Sequence, residues 1–139
     1  MSAVRYLADT SVLTRMTEPE IAEMLAPLIE AGAVGTCGVA DLQLMASVQQ
    51  PRLLPSLAAL RAASFVWLDT SDSDLRRAAQ VQLALAEQGY RLAGWTPLLV
   101  AAVAERHGVT VLHHDTSFDL IAKVTGQDVQ WVVPERTAA

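Results

Sequence analysis

Residues 109–119, with the sequence VTVLHHDTSFD, decide the fold class of this chain. Val109–Leu112 is a short run of β-branched and apolar residues, which is typical of a buried strand. A His-His-Asp turn at 113–115 ends the run, and Ser117–Val124 then has the apolar spacing of a helix. A strand that passes through a polar turn into a helix is the repeating unit of a parallel α/β sheet.

The same unit occurs along the rest of the chain. The predicted strands are five short apolar runs: Arg5–Ala8, Val34–Cys37, Phe65–Leu68, Val109–Leu112 and Val129–Val133. The predicted helices have apolar residues at spacings of three and four or begin at capping residues: Ile21–Ile29, Asp41–Val48, Leu57–Ala62, Leu75–Gln88, Thr96–His107 and Ser117–Val124. This alternation predicts a parallel sheet covered by helices on both faces, in a single domain over residues 1–139.

Composition narrows the class of protein. Because 52% of residues are hydrophobic and 18% are charged, the chain is expected to fold as a globular domain rather than to be disordered. Its apolar runs are too short to cross a membrane, and an early acid argues against a signal peptide, so a cytoplasmic protein is expected. The formal charge of −5 argues against a broad basic surface for non-specific nucleic-acid binding. The lone cysteine, Cys37, is expected to fill core space.

Two aspartates stand at predicted strand ends. Asp9 follows the first strand and Asp115 follows the fourth. If these strands are neighbours, both carboxylates meet in one crevice at the carboxyl edge of the sheet, where a divalent cation would relieve their repulsion. Alternatively, each aspartate caps the helix that follows it.

Three motifs in the same order resemble the PIN-domain ribonucleases of VapC type: YLADTSVL at 6–13, AAVAERHG at 101–108 and HHDTSFDLIAKVTG at 113–126. Between them, TCGVADLQL at 36–44 is similar to the segment that carries the family's glutamate. The resemblance covers nearly the whole chain. It implies a three-layer αβα sandwich whose central parallel sheet has about five strands in the order 3-2-1-4-5. It also implies Mg²⁺- or Mn²⁺-dependent cleavage of structured cellular RNA, a cognate antitoxin and a homodimer.

The resemblance also assigns roles to individual positions. Asp9 and Asp115 match catalytic, metal-binding acids of the family, whereas Gln43 stands at the position of the helix-borne glutamate. Pro97 stands where the family has another acid. With two carboxylates in place of four, metal binding is expected to be weak, because the charge of the ligands largely sets affinity for hard cations.

The remaining candidates have other roles. Asp41 is interpreted either as an extra metal ligand or, by preference, as the N-cap of its helix. Thr96 is expected to cap the next helix, with Pro97 at its first position. The residues expected to bind substrate carry hydroxyl or basic groups: Thr10, Ser11, Thr96, Ser117, Arg15 and His114. Trp95 is interpreted either as a stacking surface for a base or as a packing residue.

Three functions are compatible with these residues. The first is a metal-dependent endoribonuclease that acts as the toxin of a toxin–antitoxin pair. The second is a degenerate PIN domain that binds an antitoxin or RNA without cutting. The third is a phosphate-binding α/β domain, which explains Asp9 but neither of the other motifs, and the chain has no glycine-rich phosphate loop to support it.

Overall fold

A five-stranded parallel sheet organises the protein, in a computed structural model that describes residues 3–134. The predicted domain bounds, 1–139, extend beyond the described residues at both ends. The strand order is β3-β2-β1-β4-β5, which confirms the order implied by the family resemblance. The strands are β1 (Tyr6–Ala8), β2 (Val34–Cys37), β3 (Val66–Leu68), β4 (Thr110–His113) and β5 (Val129–Trp131).

Strand β1 lies at the centre of the sheet, between β2 and β4. Leu7 pairs with Gly35 on one side and with Val111 on the other. All four strand pairings are parallel. The carboxyl ends of β1 and β4 are therefore adjacent, as the hypothesis of a shared aspartate site requires.

Helices cover both faces of the sheet, as predicted. They are α1 (Thr10–Leu13), α2 (Pro19–Glu30), α3 (Gly38–Ala46), α4 (Leu54–Ser64), α5 (Asp72–Glu87), α6 (Thr96–His107) and α7 (Ser117–Thr125). Side chains alternate across a strand, so consecutive residues pack into the hydrophobic cores on opposite faces of the sheet. Leu7 belongs to the core cluster with α5, α6 and α7, whereas Ala8 belongs to the cluster with α1 and α2.

Two predicted helix caps are wrong. Helix α3 begins at Gly38, three residues before the predicted cap, so Asp41 lies inside its first turn and caps nothing. Helix α6 begins at Thr96 with Trp95 in the N-cap position, so Thr96 is its first residue rather than its cap. Pro97 still fits, because a proline in the first turn removes an N–H that has no partner within the helix.

Helix α6 is the most buried helix, as its uniformly apolar sequence predicts. Every residue from Pro97 to Ala104 is buried. Gly108 then ends the helix in the left-handed conformation, with φ of 69°. Within residues 3–134, no helix combines the length and the apolar character needed to cross a membrane.

Candidate metal centre

A cleft opens at the carboxyl ends of β1 and β4. Ala8 and Leu112 are paired residues of the two strands, and the Asp9 backbone N–H donates to the Leu112 carbonyl at 3.0 Å. The cleft has a volume of about 240 Å³. Its lining residues are polar except for one proline: Asp9, Thr10, Ser11, Thr14, Gln43, Ser47, Thr96, Pro97 and Asp115. The topology therefore brings together the two aspartates that the sequence singled out.

Asp9 is the buried acid of the cleft, with 5% of its surface exposed. Its carboxylate accepts a hydrogen bond from the Ser11 backbone N–H at 2.9 Å, so it also caps α1. Burial raises the pKa of Asp9, and the negative charge of Asp115 raises it further, although hydrogen bonds from Ser11 oppose both effects. The charged form of Asp9 is thus disfavoured in the free protein. Capping and membership of the cleft are compatible roles for this residue.

Asp115 is half-buried and is held by the backbone around it. Its Oδ1 accepts a hydrogen bond from the Ser117 N–H at 2.9 Å. Its own N–H donates to His113 Nδ1 at 3.2 Å, which requires His113 to be neutral with its proton on Nε2. Burial lowers the pKa of His113, so the neutral ring is the favoured form. The buried imidazole therefore helps to fix the turn that carries Asp115.

Gln43 joins the three helices around the cleft. Its Oε1 accepts a hydrogen bond from Thr10 Oγ1 at 2.9 Å, and its Nε2 donates to Thr96 Oγ1 at 3.2 Å. Thr10 belongs to α1, Gln43 to α3 and Thr96 to α6. An amide can satisfy both threonines because it offers both a donor and an acceptor. At this position Gln43 links the helices and contributes one neutral oxygen, but it adds no negative charge.

The cleft offers a divalent ion two carboxylates and several neutral oxygens. Within residues 3–134, neither Asp9 nor Asp115 forms an ion pair with a Lys, Arg or His side chain. Two carboxylates without a counter-charge, with neutral oxygens beside them, suit a hard cation such as Mg²⁺ or Mn²⁺. However, no group of three or more His, Cys, Asp or Glu side chains in the described part of the chain could hold a metal.

The structure contradicts the possible metal-binding role of Asp41. Its Oδ1 accepts a hydrogen bond from Arg61 Nε at 2.6 Å, and both side chains are largely buried. Asp41 is two residues from Gln43, an offset that points to another side of a helix, and it is not among the residues that line the cleft. Its charge is already balanced by Arg61 on α4, so it does not replace the missing glutamate.

The predicted substrate-binding residues divide into two groups. Thr10, Ser11 and Thr96 line the cleft. Arg15, His114 and Ser117 are not among its lining residues, and each has another contact.

Two of the three side chains have partners elsewhere, and the third residue contributes through its backbone. Arg15 Nη1 is 3.5 Å from Glu18 on the protein surface. The His114 ring lies edge-on to Trp131, with 5.4 Å between ring centroids. Ser117 contributes its backbone N–H to Asp115. The spacing of these residues from the aspartates did not reveal the contacts of Arg15 and His114.

Two lining residues were missed at the level of sequence. Thr14 follows Thr10 by four residues, and Ser47 follows Gln43 by four residues. Residues four apart share one face of a helix, so this spacing is the signal that would have found them. Both add neutral hydroxyl oxygens to the cleft and leave its negative charge at two carboxylates.

Comparisons with known proteins agree with the fold and with the cleft. The PIN domain family matches residues 6–124. Ribonuclease VapC51 of Mycobacterium tuberculosis is 41% identical over 97% of this chain and 98% of its own length. Ribonuclease VapC21 of the same species is 37% identical over 96% of this chain and 98% of its own.

Solved structures show the same fold at low sequence identity. The DNA-bound VapBC of Salmonella typhimurium superposes with a TM-score of 0.74 at 14% identity and covers 94% of this chain and 99% of that chain. VapBC-5 of Mycobacterium tuberculosis has a TM-score of 0.61 at 24% identity, covering 93% and 98%.

The parallel sheet in the order 3-2-1-4-5, with two aspartates at the mouth of its central strands, has the architecture of a PIN-type nuclease domain. The extent of the sequence matches makes the assignment more specific. This chain belongs to the PIN-domain family, among its VapC-type members.

Proposed function

We propose that this protein is a VapC-type toxin, a divalent-metal-dependent endoribonuclease that cleaves structured cellular RNA in the cytoplasm. The observation that carries the proposal is the meeting of Asp9 and Asp115 in one cleft, with no protein cation paired to either in the described part of the chain. Full-length relatives at 37–41% identity are named ribonucleases, which supports the same chemistry here.

Different residues of the cleft would bind the metal, position the RNA and hold the surrounding helices. Asp9 and Asp115 would hold a divalent ion, with Gln43 Oε1 as a neutral neighbour. Such an ion, when bound, activates water and stabilises the charge that develops on the phosphate. The Ser11 hydroxyl, which accepts the His114 N–H, would orient the RNA backbone, since hydroxyl groups commonly donate hydrogen bonds to phosphate oxygens. The Thr14 and Ser47 hydroxyls donate to the Thr10 and Leu44 carbonyls and would have to release those bonds before they could donate to RNA. Gln43, hydrogen-bonded to Thr10 and Thr96, would hold α1, α3 and α6 in place around the cleft.

RNA cleavage tests the proposal. Total cellular RNA and purified structured RNAs should be cut in the presence of Mn²⁺ or Mg²⁺, and the cutting should stop in EDTA. Asp9→Asn should reduce the rate by more than about 100-fold, because even residues that only support metal ligands contribute 10–100-fold. The absence of metal-stimulated cleavage across a broad RNA panel would overturn the proposal.

A second function is favoured by one specific observation. The described residues include no group of three or more metal-ligating side chains, and Gln43 and Pro97 stand where the family resemblance implies acids. A degenerate PIN domain that binds an antitoxin or RNA without cutting would show the same features. In that case the wild type and Asp9→Asn would give equal, metal-independent background in the cleavage assay.

An apolar groove beside the cleft is suited to bind a protein partner. Its volume is about 260 Å³, and its lining is mostly apolar: Leu13, Met16, Thr17, Leu44, Val48, Leu57, Leu60, Arg61, Ser64 and Phe65. Helices α1 and α3 line both the groove and the cleft. Structural neighbours are VapBC complexes, in which the VapC-like chain is crystallised with its antitoxin. We therefore assign the groove to a helix or extended segment of the cognate antitoxin, which would pass close to the cleft.

A homodimer remains a prediction from the family resemblance. Light scattering on the purified chain, with and without antitoxin, measures the oligomeric state directly.

A further inference from the structure

A third concave surface is lined by Trp95, the residue directly before Thr96. Its volume is about 580 Å³, and it is formed by the loop between α5 and α6 together with the helix ends beside it. Gly89, Tyr90, Arg91, Leu92 and Trp95 belong to this lining. The surface contains none of the cleft's carboxylates and is not part of the site described above.

Trp95 is unusually exposed for its position. The indole stands at the N-cap of α6 with 60% of its surface exposed, although α6 itself is the most buried helix. The packing interpretation of Trp95 is therefore wrong. An N-cap is ordinarily served by a small polar side chain, and Trp95 makes no side-chain capping bond. Capping therefore does not account for a large aromatic residue at this place.

Positive charge accompanies the exposed indole. Arg91 is exposed on the same surface, and within residues 3–134 it forms no ion pair. Lys123 Nζ lies 5.7 Å from the centroid of the Tyr90 ring, which also lines the concavity. In a chain with a net charge of −5, the concavity thus has one cation in its lining, Arg91, and a second at the Tyr90 ring. A positively charged groove with an aromatic platform is the usual surface for unpaired nucleotides.

The surface is continuous with the metal cleft through the chain itself. Trp95 lines the concavity, and the next two residues, Thr96 and Pro97, line the cleft. Since consecutive Cα atoms are 3.8 Å apart, Trp95 and Pro97 are separated by at most about 8 Å. This is a short step along a nucleic-acid strand. Because the two surfaces adjoin along the chain at residues 95–97, a nucleotide on Trp95 would belong to the same short stretch of RNA as the nucleotide in the cleft.

We infer that Trp95 and Arg91 form a binding subsite for a single-stranded RNA nucleotide, in which a base stacks on Trp95 and its phosphate contacts Arg91. The subsite deepens the proposed function and rests on it. It would favour RNA whose cleavage point lies in a loop or other unpaired segment, because bases in a duplex are not free to stack on a protein side chain.

RNA binding without cleavage tests the subsite. The parent is the Asp9→Asn variant, and the probe is a short, fluorescein-labelled single-stranded RNA of mixed sequence, followed by fluorescence anisotropy at low salt. Trp95→Leu should weaken binding by about tenfold, which lies within the measured range for loss of one stacked base. Trp95→Phe should retain most of the affinity because it keeps an aromatic face. Arg91→Gln should weaken binding and make it less sensitive to salt.

Trp67 provides a matched control. It is 51% exposed on the edge strand β3, with the Arg61 guanidinium 5.1 Å from its ring centroid, so Trp67→Leu also removes an exposed indole with a cation beside it and should leave RNA affinity unchanged. Thermal melting of each variant checks that the fold is retained. A duplex of the same sequence should bind equally to the Trp95→Leu variant and its parent.

Three results would overturn the inference. One is equal affinity of the Trp95→Leu and Trp67→Leu variants for single-stranded RNA. Another is no RNA binding by the parent. The third is undiminished RNA binding together with loss of antitoxin binding in Trp95→Leu, which would assign the surface to a protein partner. Because these measurements use a variant that does not cut, failure of the nuclease proposal in the cleavage assay remains distinguishable from failure of the subsite.

Discussion

Asp9 is a carboxylic acid in an environment that disfavours its charged form. It is buried, and it lies close enough to Asp115 for that charge to raise its pKa. Ionised Asp9 therefore destabilises the folded protein when no cation is bound. Functional sites commonly carry such local instability, and ligand binding relieves it.

The stability of Asp9→Asn should depend on pH in a defined direction. A carboxyl group whose pKa is raised on folding stabilises the folded state most below the pKa of the unfolded chain, about 3.9, and this contribution is lost as pH rises through the folded pKa. Asp9→Asn keeps an oxygen for the Ser11 N–H but removes the charge. In EDTA, its Tm at pH 7 should exceed that of the wild type, and the difference should shrink towards pH 4. A lower Tm at pH 7 would contradict the electrostatic account.

Gln43→Glu should strengthen metal binding. The substitution adds a third carboxylate while keeping an acceptor for the Thr10 hydroxyl and the length of the side chain. We expect Mn²⁺ affinity to rise by roughly tenfold or more, measured by calorimetry, because affinity for hard cations follows ligand charge. Adding Pro97→Asp should raise it again, and an aspartate is well tolerated in the first turn of a helix.

Gln49→Glu is the matched control for Gln43→Glu. Gln49 is exposed, follows the end of α3 and is not among the residues that line the cleft, so the variant has the same net charge without the added ligand. Equal Mn²⁺ affinity in the two variants would show that position 43 is not at the metal centre.

The sequence was informative about residues at strand ends and less so about side-chain partners. Asp9 and Asp115 were identified because polar residues after parallel strands converge at one edge of the sheet. The partner of Asp41 was not, because Arg61 is 20 residues further along and on another helix. No local spacing indicates a pair of that kind. Helix α6, in contrast, was predicted with its bounds correct, and only the role of Thr96 within it was wrong.

Gly35 shows how tightly elements pack beneath the cleft. It lies on β2 beside the central strand, and a Cβ atom there would be 2.8 Å from Leu68 Cδ1 and 3.1 Å from the Val66 carbonyl oxygen of β3. The second contact is with backbone, which cannot rotate away. Glycine at this position is therefore required by the spacing of β2 and β3.

Gly35→Ala should destabilise the protein by about 1–3 kcal/mol, the usual cost of overpacking a core. Urea unfolding measures the change as a lower midpoint. Gly38→Ala is the control in the following helix, because its Cβ would meet only the Trp67 side chain at 3.6 Å, an ordinary contact. That variant should be neutral or slightly stabilising, since alanine favours helix formation. Equal midpoints for the two variants would contradict the packing argument.

At the scale of the whole molecule, alternation of strands and helices predicted a parallel sheet but not its strand order. The order came from the family resemblance, because periodicity within a segment carries no information about which strands are neighbours. The apolar groove and the surface around Trp95 likewise depend on segments far apart in sequence. Both surfaces flank the cleft, so antitoxin and RNA are expected to approach the same centre from different sides.

Leu60→Asp should separate the two partners. Leu60 lines the apolar groove and is 62% exposed, so the substitution places a charge in the groove without removing a core residue. Expression of the variant in a bacterial host should still arrest growth, whereas co-expression of the cognate antitoxin should no longer relieve the arrest. Relief equal to that of the wild type would exclude the groove as the antitoxin surface.

Anomalous diffraction from a crystal soaked in Mn²⁺ tests the central claim most directly. The account predicts one manganese peak in the cleft, within coordination distance of carboxylate oxygens from both Asp9 and Asp115, and a stronger peak at the same place in the Gln43→Glu variant. A cleft without manganese at high Mn²⁺ concentration, or a peak bound by other residues, would contradict it.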